Sequence, residues 1–254
     1  MERNIWLILL LGFGLIGSSC FGRKDERQVK VEQMLSKANN GELIVMQSIA
    51  QELRSSYPDD YLVWESIGGA YTLANMPDSA LYYLSVARKA NPEKFISYFQ
   101  LAAAYYASGD FEQAERYIRT ELKRNGETAM SENIYGLILI EKEEYPEAIV
   151  HFQKAIRADE TYAYPYNNLG YAYLRMKELG KARTNIVKSL ELDRDNPWAW
   201  RNIGYLQIDT GEIENACNSF QQALRLSIPN TSMDIGDELD SLNLKYCIGK
   251  TIAP

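Results

Sequence analysis

The side chains with chemistry of their own are few. His151 is the one histidine in 254 residues, which excludes a multi-histidine metal site. No Cys or Asp is spaced to serve it locally, so it reads as a satisfied surface histidine rather than a catalytic one. Three cysteines, Cys20, Cys217 and Cys247, are too few and too scattered for a disulfide framework. Cys217 and Cys247 could still pair outside the cytoplasm and staple the C-terminal stretch by about 2–4 kcal/mol. Two separate thiols are the alternative, because sequence does not give a Cα separation. Glu141, Glu143 and Glu144 look like a solvated turn and not an acid/base pair. The chain has no Gly-rich phosphate loop, no Gly-x-Ser-x-Gly elbow and no His-Glu-x-x-His motif. These residues point away from an enzyme and from a cofactor.

Composition narrows the partners. Hydrophobic content of 46% with 24% charge suits a soluble folded chain. The formal charge of -7 argues against nucleic acid, whose binding rests on neutralising phosphates with Lys and Arg. Multi-residue binding surfaces are the remaining source of function, and the chain is organised to supply them.

The organising stretch is Trp200–Ala223. Trp200, Ile203, Gly204, Ala216, Phe220 and Ala223 mark two short amphipathic helices whose backbones approach through small residues. A step of 34 residues upstream lands on Tyr166, Leu169, Gly170, Ala182, Ile186 and Ser189, and another on Glu132, Tyr135, Gly136, Ala148, Phe152 and Ala155. Further steps reach Tyr98, Leu101, Ala102, Ala114, Ile118 and Glu121, then Trp64, Ile67, Gly68, Ala80, Leu84 and Ala87. The five registers, 61–94, 95–128, 129–162, 163–196 and 197–230, align without insertion or deletion. The prolines test this register, because an interior proline costs about 3 kcal/mol in a helix. Pro58, Pro77, Pro92, Pro146, Pro165, Pro197 and Pro229 all fall near helix boundaries.

The pattern closely resembles the tetratricopeptide repeat (TPR) over residues 61–230. Glu132 at the aromatic position and Glu121 at the second small position depart from it as single lapses. The resemblance implies an all-α, right-handed α-solenoid of about five to six helix–turn–helix repeats with terminal caps. Residues 27–60 occupy the next register upstream and read as a degenerate first repeat or N-terminal cap, broken at Asn39-Asn40-Gly41. Residues 231–254 read as a C-terminal cap helix followed by a loose tail.

In that family the first helix of each repeat lines a concave groove. With each register numbered from its first residue, positions 2, 5, 9 and 12 fall on the groove stripe. The resemblance places Phe99, Tyr106, Asn133, Tyr164, Asn167, Tyr171, Trp198, Arg201 and Tyr205 there. Exposed aromatic groups with Arg are frequent partner anchors, and the Asn and Arg donors suit a peptide backbone or a carboxylate. The alternative is that these side chains pack on one another or against the terminal helices. No Lys stands at these positions, which argues against the two-carboxylate clamp of chaperone-binding members.

The first residues add an anchor. Ile5–Ile16 is apolar, and Gly17, Ser18 and Ser19 precede Cys20. The run is too short to span about 30 Å of hydrocarbon. Small residues before a Cys resemble the signal peptide and lipobox of bacterial lipoproteins, although Gly17 stands where Leu is common. The resemblance implies a signal peptide at 1–19, a lipidated (palmitate-bearing) Cys20 and a tether through residue 26. The Lys24-Asp25-Glu26 run resembles a surface-export signal of the Bacteroidota, or serves only as a solvated spacer. The expected function is a non-enzymatic scaffold or adaptor, lipid-anchored in the cell envelope at the outer membrane, binding a protein or peptide in the groove. No nucleic acid and no small-molecule substrate are expected. The alternatives are a pilotin-like envelope-assembly factor or outer-membrane-protein chaperone, and a glycan-binding lipoprotein.

Overall fold

The computed structural model describes residues 25–92, 97–228, 231 and 235–247. The expected signal peptide, Cys20 and the final tail lie outside these residues. Among the described residues all regular structure is α-helical, in thirteen helices with no strand. They are α1 (Glu26–Asn39), α2 (Leu43–Ser56), α3 (Tyr61–Leu73), α4 (Pro77–Ala90), α5 (Tyr98–Ala107), α6 (Phe111–Asn125), α7 (Ala129–Glu141), α8 (Tyr145–Ala158), α9 (Ala163–Arg175), α10 (Leu179–Leu192), α11 (Pro197–Asp209), α12 (Ile213–Leu226) and α13 (Gly236–Tyr246). This is the all-α helix–turn–helix order that the 34-residue register predicts.

The helix ends follow from capping chemistry. Asp25 and Gln28 form a reciprocal capping box at α1, and Thr128 with Ser131 forms one at α7. The Asn196 side chain accepts from the Trp198 and Ala199 amides, ahead of Pro197 in the first turn of α11. Each satisfies backbone donors that a helix start leaves unpaired. The turn inside each pair has its own signature. Gly41, Asn75, Gly109, Glu143, Lys177 and Gly211 all have positive φ, between 53° and 80°, at intervals of 34 residues. The glycines adopt this conformation without strain, whereas Asn75, Glu143 and Lys177 carry a Cβ into the left-handed region.

The chain divides into two compact units. The first reaches Glu121 and takes in Thr231; the second begins at Leu122 and includes α13, so the boundary falls within α6. In the first unit α1 packs on α2 and α3, and α3 on α4. Its core includes Met34, Leu53, Ile67, Leu84 and Ile118, all fully buried.

The second unit holds α7 to α13 in successive packed pairs. One cluster joins Leu174, Ala182 and Ile186 to Ala199, Ile203 and Leu206. The next joins Ala216, Phe220 and Ala223 to Ile235 and Leu239, which brings α13 onto α12. The close approach read from Gly204 is a contact requirement. A Cβ there would lie 2.4 Å from the Phe220 ring, and one at Gly136 would lie 2.5 Å from Phe152.

Candidate functional site

The first helices of the second unit carry a polar ladder. Asn133 Oδ1 accepts from Asn168 Nδ2 at 2.9 Å, joining α7 to α9. Asn167 Nδ2 donates to Asn168 Oδ1 at 3.1 Å, and Asn202 Nδ2 on α11 donates to Asn167 Oδ1 at 2.8 Å. Arg201 Nε and Nη2 donate to Asn202 Oδ1 at 3.2 and 3.1 Å. Position 5 of the third and of the fourth repeat thus meets position 6 of the next. Arg201 ends the ladder and hands it to α13, where Nη1 donates to Glu238 Oε2 at 2.9 Å. The Tyr205 hydroxyl donates to the other oxygen of the same carboxylate.

Arg201 is also enclosed by rings. Its guanidinium carbon lies 4.7 Å from the Trp198 ring centre and 5.8 Å from those of Tyr171 and Tyr205. The quadrupole of each ring attracts the cation. Tyr171 is shared, because Arg175 Nη1 donates to its hydroxyl at 3.0 Å and stacks on the same ring. Burial, followed by the hydrogen bond to Glu238, pushes the Tyr205 phenol well above the usual tyrosine range. Tyr205 therefore stays a neutral donor.

The sequence-based site separates into three groups. Tyr171, Trp198, Arg201 and Tyr205 come together on α9 and α11 and are partly exposed. Asn133, Tyr164 and Asn167 are buried, with Asn133 and Asn167 only 4% and 1% exposed, so the expectation of an open face is corrected there. The Asn133 and Asn167 amides meet other amides because a buried polar group without a partner is costly. Phe99 and Tyr106 lie in the first unit and are half-buried, with the Tyr106 ring 5.8 Å from Phe111. Cys217 and Cys247 are joined in a disulfide with Cα atoms 5.7 Å apart. Asn168, Asn202 and Glu238 are the contributors that the groove stripe missed. The two asparagines could have been found by stepping 34 residues at position 6; Glu238 lies beyond the last register.

His151 is satisfied, as expected, and its partner lies in the interior. Its Nδ1 lies 2.5 Å from Oε2 of Glu132, which is fully buried, and its ring centre is 4.1 Å from that of Tyr135. Lys154 Nζ lies 3.5 Å from the other Glu132 oxygen and 2.7 Å from Glu127. This pair explains the family departure at Glu132. Trp64 stacks with Tyr83, and Tyr98 with Tyr117, at the positions that Glu132 and His151 occupy in the third register. An acid–imidazole pair replaces a ring stack. Glu121, the other departure, accepts from the Phe99 amide at the start of α5 at 3.2 Å.

Among the described residues no cluster of three His, Cys, Asp or Glu could hold a metal ion. No described helix is long and apolar enough to cross a membrane.

Comparison with known proteins agrees with this architecture. Tetratricopeptide-repeat family models match residues 97–129, 136–177, 163–196 and 199–227. The chain is a tetratricopeptide-repeat protein, all-α and of the solenoid type. No curated protein matches it by sequence. Among solved structures, the APC/C hetero-tetramer Cut9-Hcn1 matches with a TM-score of 0.68 at 17% identity, over 84% of this chain and 42% of that one. TTC0263, a thermophilic TPR protein of Thermus thermophilus, matches with a TM-score of 0.62 at 19% identity, over 73% of this chain and 100% of its own. Yeast Tom70 matches with a TM-score of 0.61 at 16% identity, over 87% of this chain and 48% of its own. At these identities the likeness concerns the fold. The repeats support a protein–protein interaction scaffold with protein or peptide partners.

Proposed function

We propose that the chain is a non-enzymatic adaptor that docks a partner segment on α9 and α11 of its second unit. The observation that carries this reading is Arg201, ringed by Tyr171, Trp198 and Tyr205 with the aromatic groups still partly exposed. Aromatic and Arg side chains concentrate binding energy because they combine apolar area with directed donors. The first-unit aromatics, Phe99 and Tyr106, are not needed for this surface.

The N-terminal sequence supports a location for it. A lipid on Cys20 holds the chain at the bacterial envelope, at the outer membrane, and raises its local concentration there. Two or more acyl chains make such an anchor stable, whereas one binds only marginally.

Two experiments test the reading. A photoreactive phenylalanine analogue at Tyr171 is expected to crosslink a defined protein in cells, and Trp198→Ser with Arg201→Ala to remove the adduct. The same adduct from a probe at Val187, an exposed residue of α10, would reject the docking surface. Labelled palmitate should enter the wild-type chain and not Cys20→Ala; equal labelling would reject the anchor.

A further inference from the structure

One end of the partner surface is occupied from inside the molecule. Glu238 of α13 satisfies both Arg201 and Tyr205, while Ile235 and Leu239 are buried against Ala216, Phe220 and Ala223. Leu242 packs on the same cluster. Ile235, Leu239 and Leu242 are spaced i, i+4 and i+7, the apolar stripe of a helix laid on a surface. Glu238 stands beside that stripe.

The join between α11 and α13 differs chemically from those within the array. Asn133 with Asn168, and Asn167 with Asn202, pair neutral amides, and Asn133, Asn167 and Asn202 are buried. Arg201 with Glu238 pairs two ions, and the Glu238 side chain is 41% exposed. Arg201 is 14% exposed, but its partner carboxylate meets water, so another carboxylate can replace Glu238 at little cost. We propose, building on the docking surface above, that α13 is an intramolecular stand-in for the partner, which is an amphipathic helix with the apolar and carboxylate spacing of Ile235, Glu238, Leu239 and Leu242.

The disulfide between Cys217 and Cys247 decides whether the stand-in can leave. It ties the end of α13 to α12. The backbone alone tethers α13 at an effective concentration in the millimolar range; the disulfide adds a second tie that raises it further and disfavours an external helix. A dithiol opens the bond in two exchanges. One thiolate attacks one cysteine sulfur and expels the other cysteine as thiolate; the second thiolate of the same dithiol then attacks the dithiol sulfur of that mixed disulfide and expels the first cysteine. Both cysteines end as thiols, and the dithiol ends as a cyclic disulfide after giving up two electrons.

The test uses the full chain and a labelled synthetic peptide of residues 234–246. Fluorescence anisotropy is expected to show saturable uptake by the chain reduced with dithiothreitol, about tenfold or more weaker uptake by the oxidised chain, and loss of uptake when the peptide carries Glu238→Lys. Hydrogen exchange should rise in α13 on reduction while α11 and α12 stay protected. No uptake by a reduced chain whose α13 exchanges freely would overturn the proposal. So would loss of protection in α11 and α12 along with α13, because α13 would then be part of the fold. The Tyr171 crosslink in cells separates this proposal from the docking surface itself. A stronger adduct in Cys217→Ser/Cys247→Ser supports the stand-in. An equal adduct with and without those substitutions keeps the docking surface and rejects the stand-in. An adduct in neither rejects both.

Discussion

His151 Nδ1 faces Glu132 Oε2 at 2.5 Å, and the carboxylate it meets is fully buried. The pair occupies two positions that hold stacked rings in the preceding registers. Removing His151 takes away the nearer of the two partners of a fully buried carboxylate, leaving Lys154 at 3.5 Å. His151→Ala should therefore cost about 1–3 kcal/mol in urea unfolding, the range for a buried polar group that loses its hydrogen bond. Glu132→Tyr with His151→Tyr should restore the stack of the second register and recover most of that loss. Equal stability of the single and double variants would show that the pair is not coupled.

Asn167 is a structural residue by its contacts, with amides of Asn168 and Asn202 on either side. Asn167→Ala should destabilise the chain by about 1–3 kcal/mol, since it strands buried polar partners. Chemical denaturation gives the value. The Tyr171 crosslink should persist in the folded variant, which would separate the ladder from the partner surface.

Gly204→Ala places a methyl group where the Phe220 ring already lies, 2.4 Å away. Phe220 is fully buried and cannot swing out. Overpacking of this kind costs about 1–3 kcal/mol, readable as a lower thermal midpoint. Gly180→Ala is the control, because nothing lies within 4 Å of a Cβ there and the residue sits in the first turn of α10.

Asp193 caps the C-terminal end of α10, where the helix dipole already presents negative charge. Burial raises its carboxyl above the usual range; the Asp195 amide hydrogen bond opposes this, and the Asp195 charge adds to it. A raised carboxyl value means that the folded state holds the proton more tightly than the unfolded chain. Its favourable contribution exists below the unfolded value and disappears as pH rises through the folded value. Asp193→Asn should then stabilise by about 0.3–1 kcal/mol at neutral pH. The gain should vanish in acid, and parallel urea titrations at the two pH values measure it.

Lys177 adopts φ of 62° at the turn that Gly109 and Gly211 make freely. Lys177→Gly removes a cost of about 1–2 kcal/mol for a left-handed L-residue, less the extra freedom glycine gives the unfolded chain. Its ion pair with Asp209 is surface-exposed and contributes little. The expected net result is a small rise in midpoint, read by thermal scanning.

What could be read in advance follows from how each signal arises. Helix pairing was legible because Gly204, Phe220 and their equivalents recur wherever the same backbone approach recurs. The prolines added an independent check through helix sterics. The partner face was only half legible. Tyr171, Trp198, Arg201 and Tyr205 share a stripe and do meet, yet Asn133 and Asn167 lie on that stripe and are spent on Asn168 and Asn202. Helical spacing gives an azimuth around one helix, not how deeply the next helix covers it. Glu238 was out of reach because α13 does not continue the register. Glu132 looked like a lapse because its compensation, His151, lies on a different helix.

The asparagine ladder makes the repeat a unit of exchange. Its contacts depend only on a fifth position meeting the sixth position of the following register. Excising residues 163–196 would bring Asn133 opposite Asn202 with the same amide chemistry as before. Duplicating that segment would insert another matching rung. A partial deletion would leave an amide facing hydrocarbon. Length at this seam is therefore inherited in whole multiples, and recombination can lengthen or shorten the array without redesigning its interior.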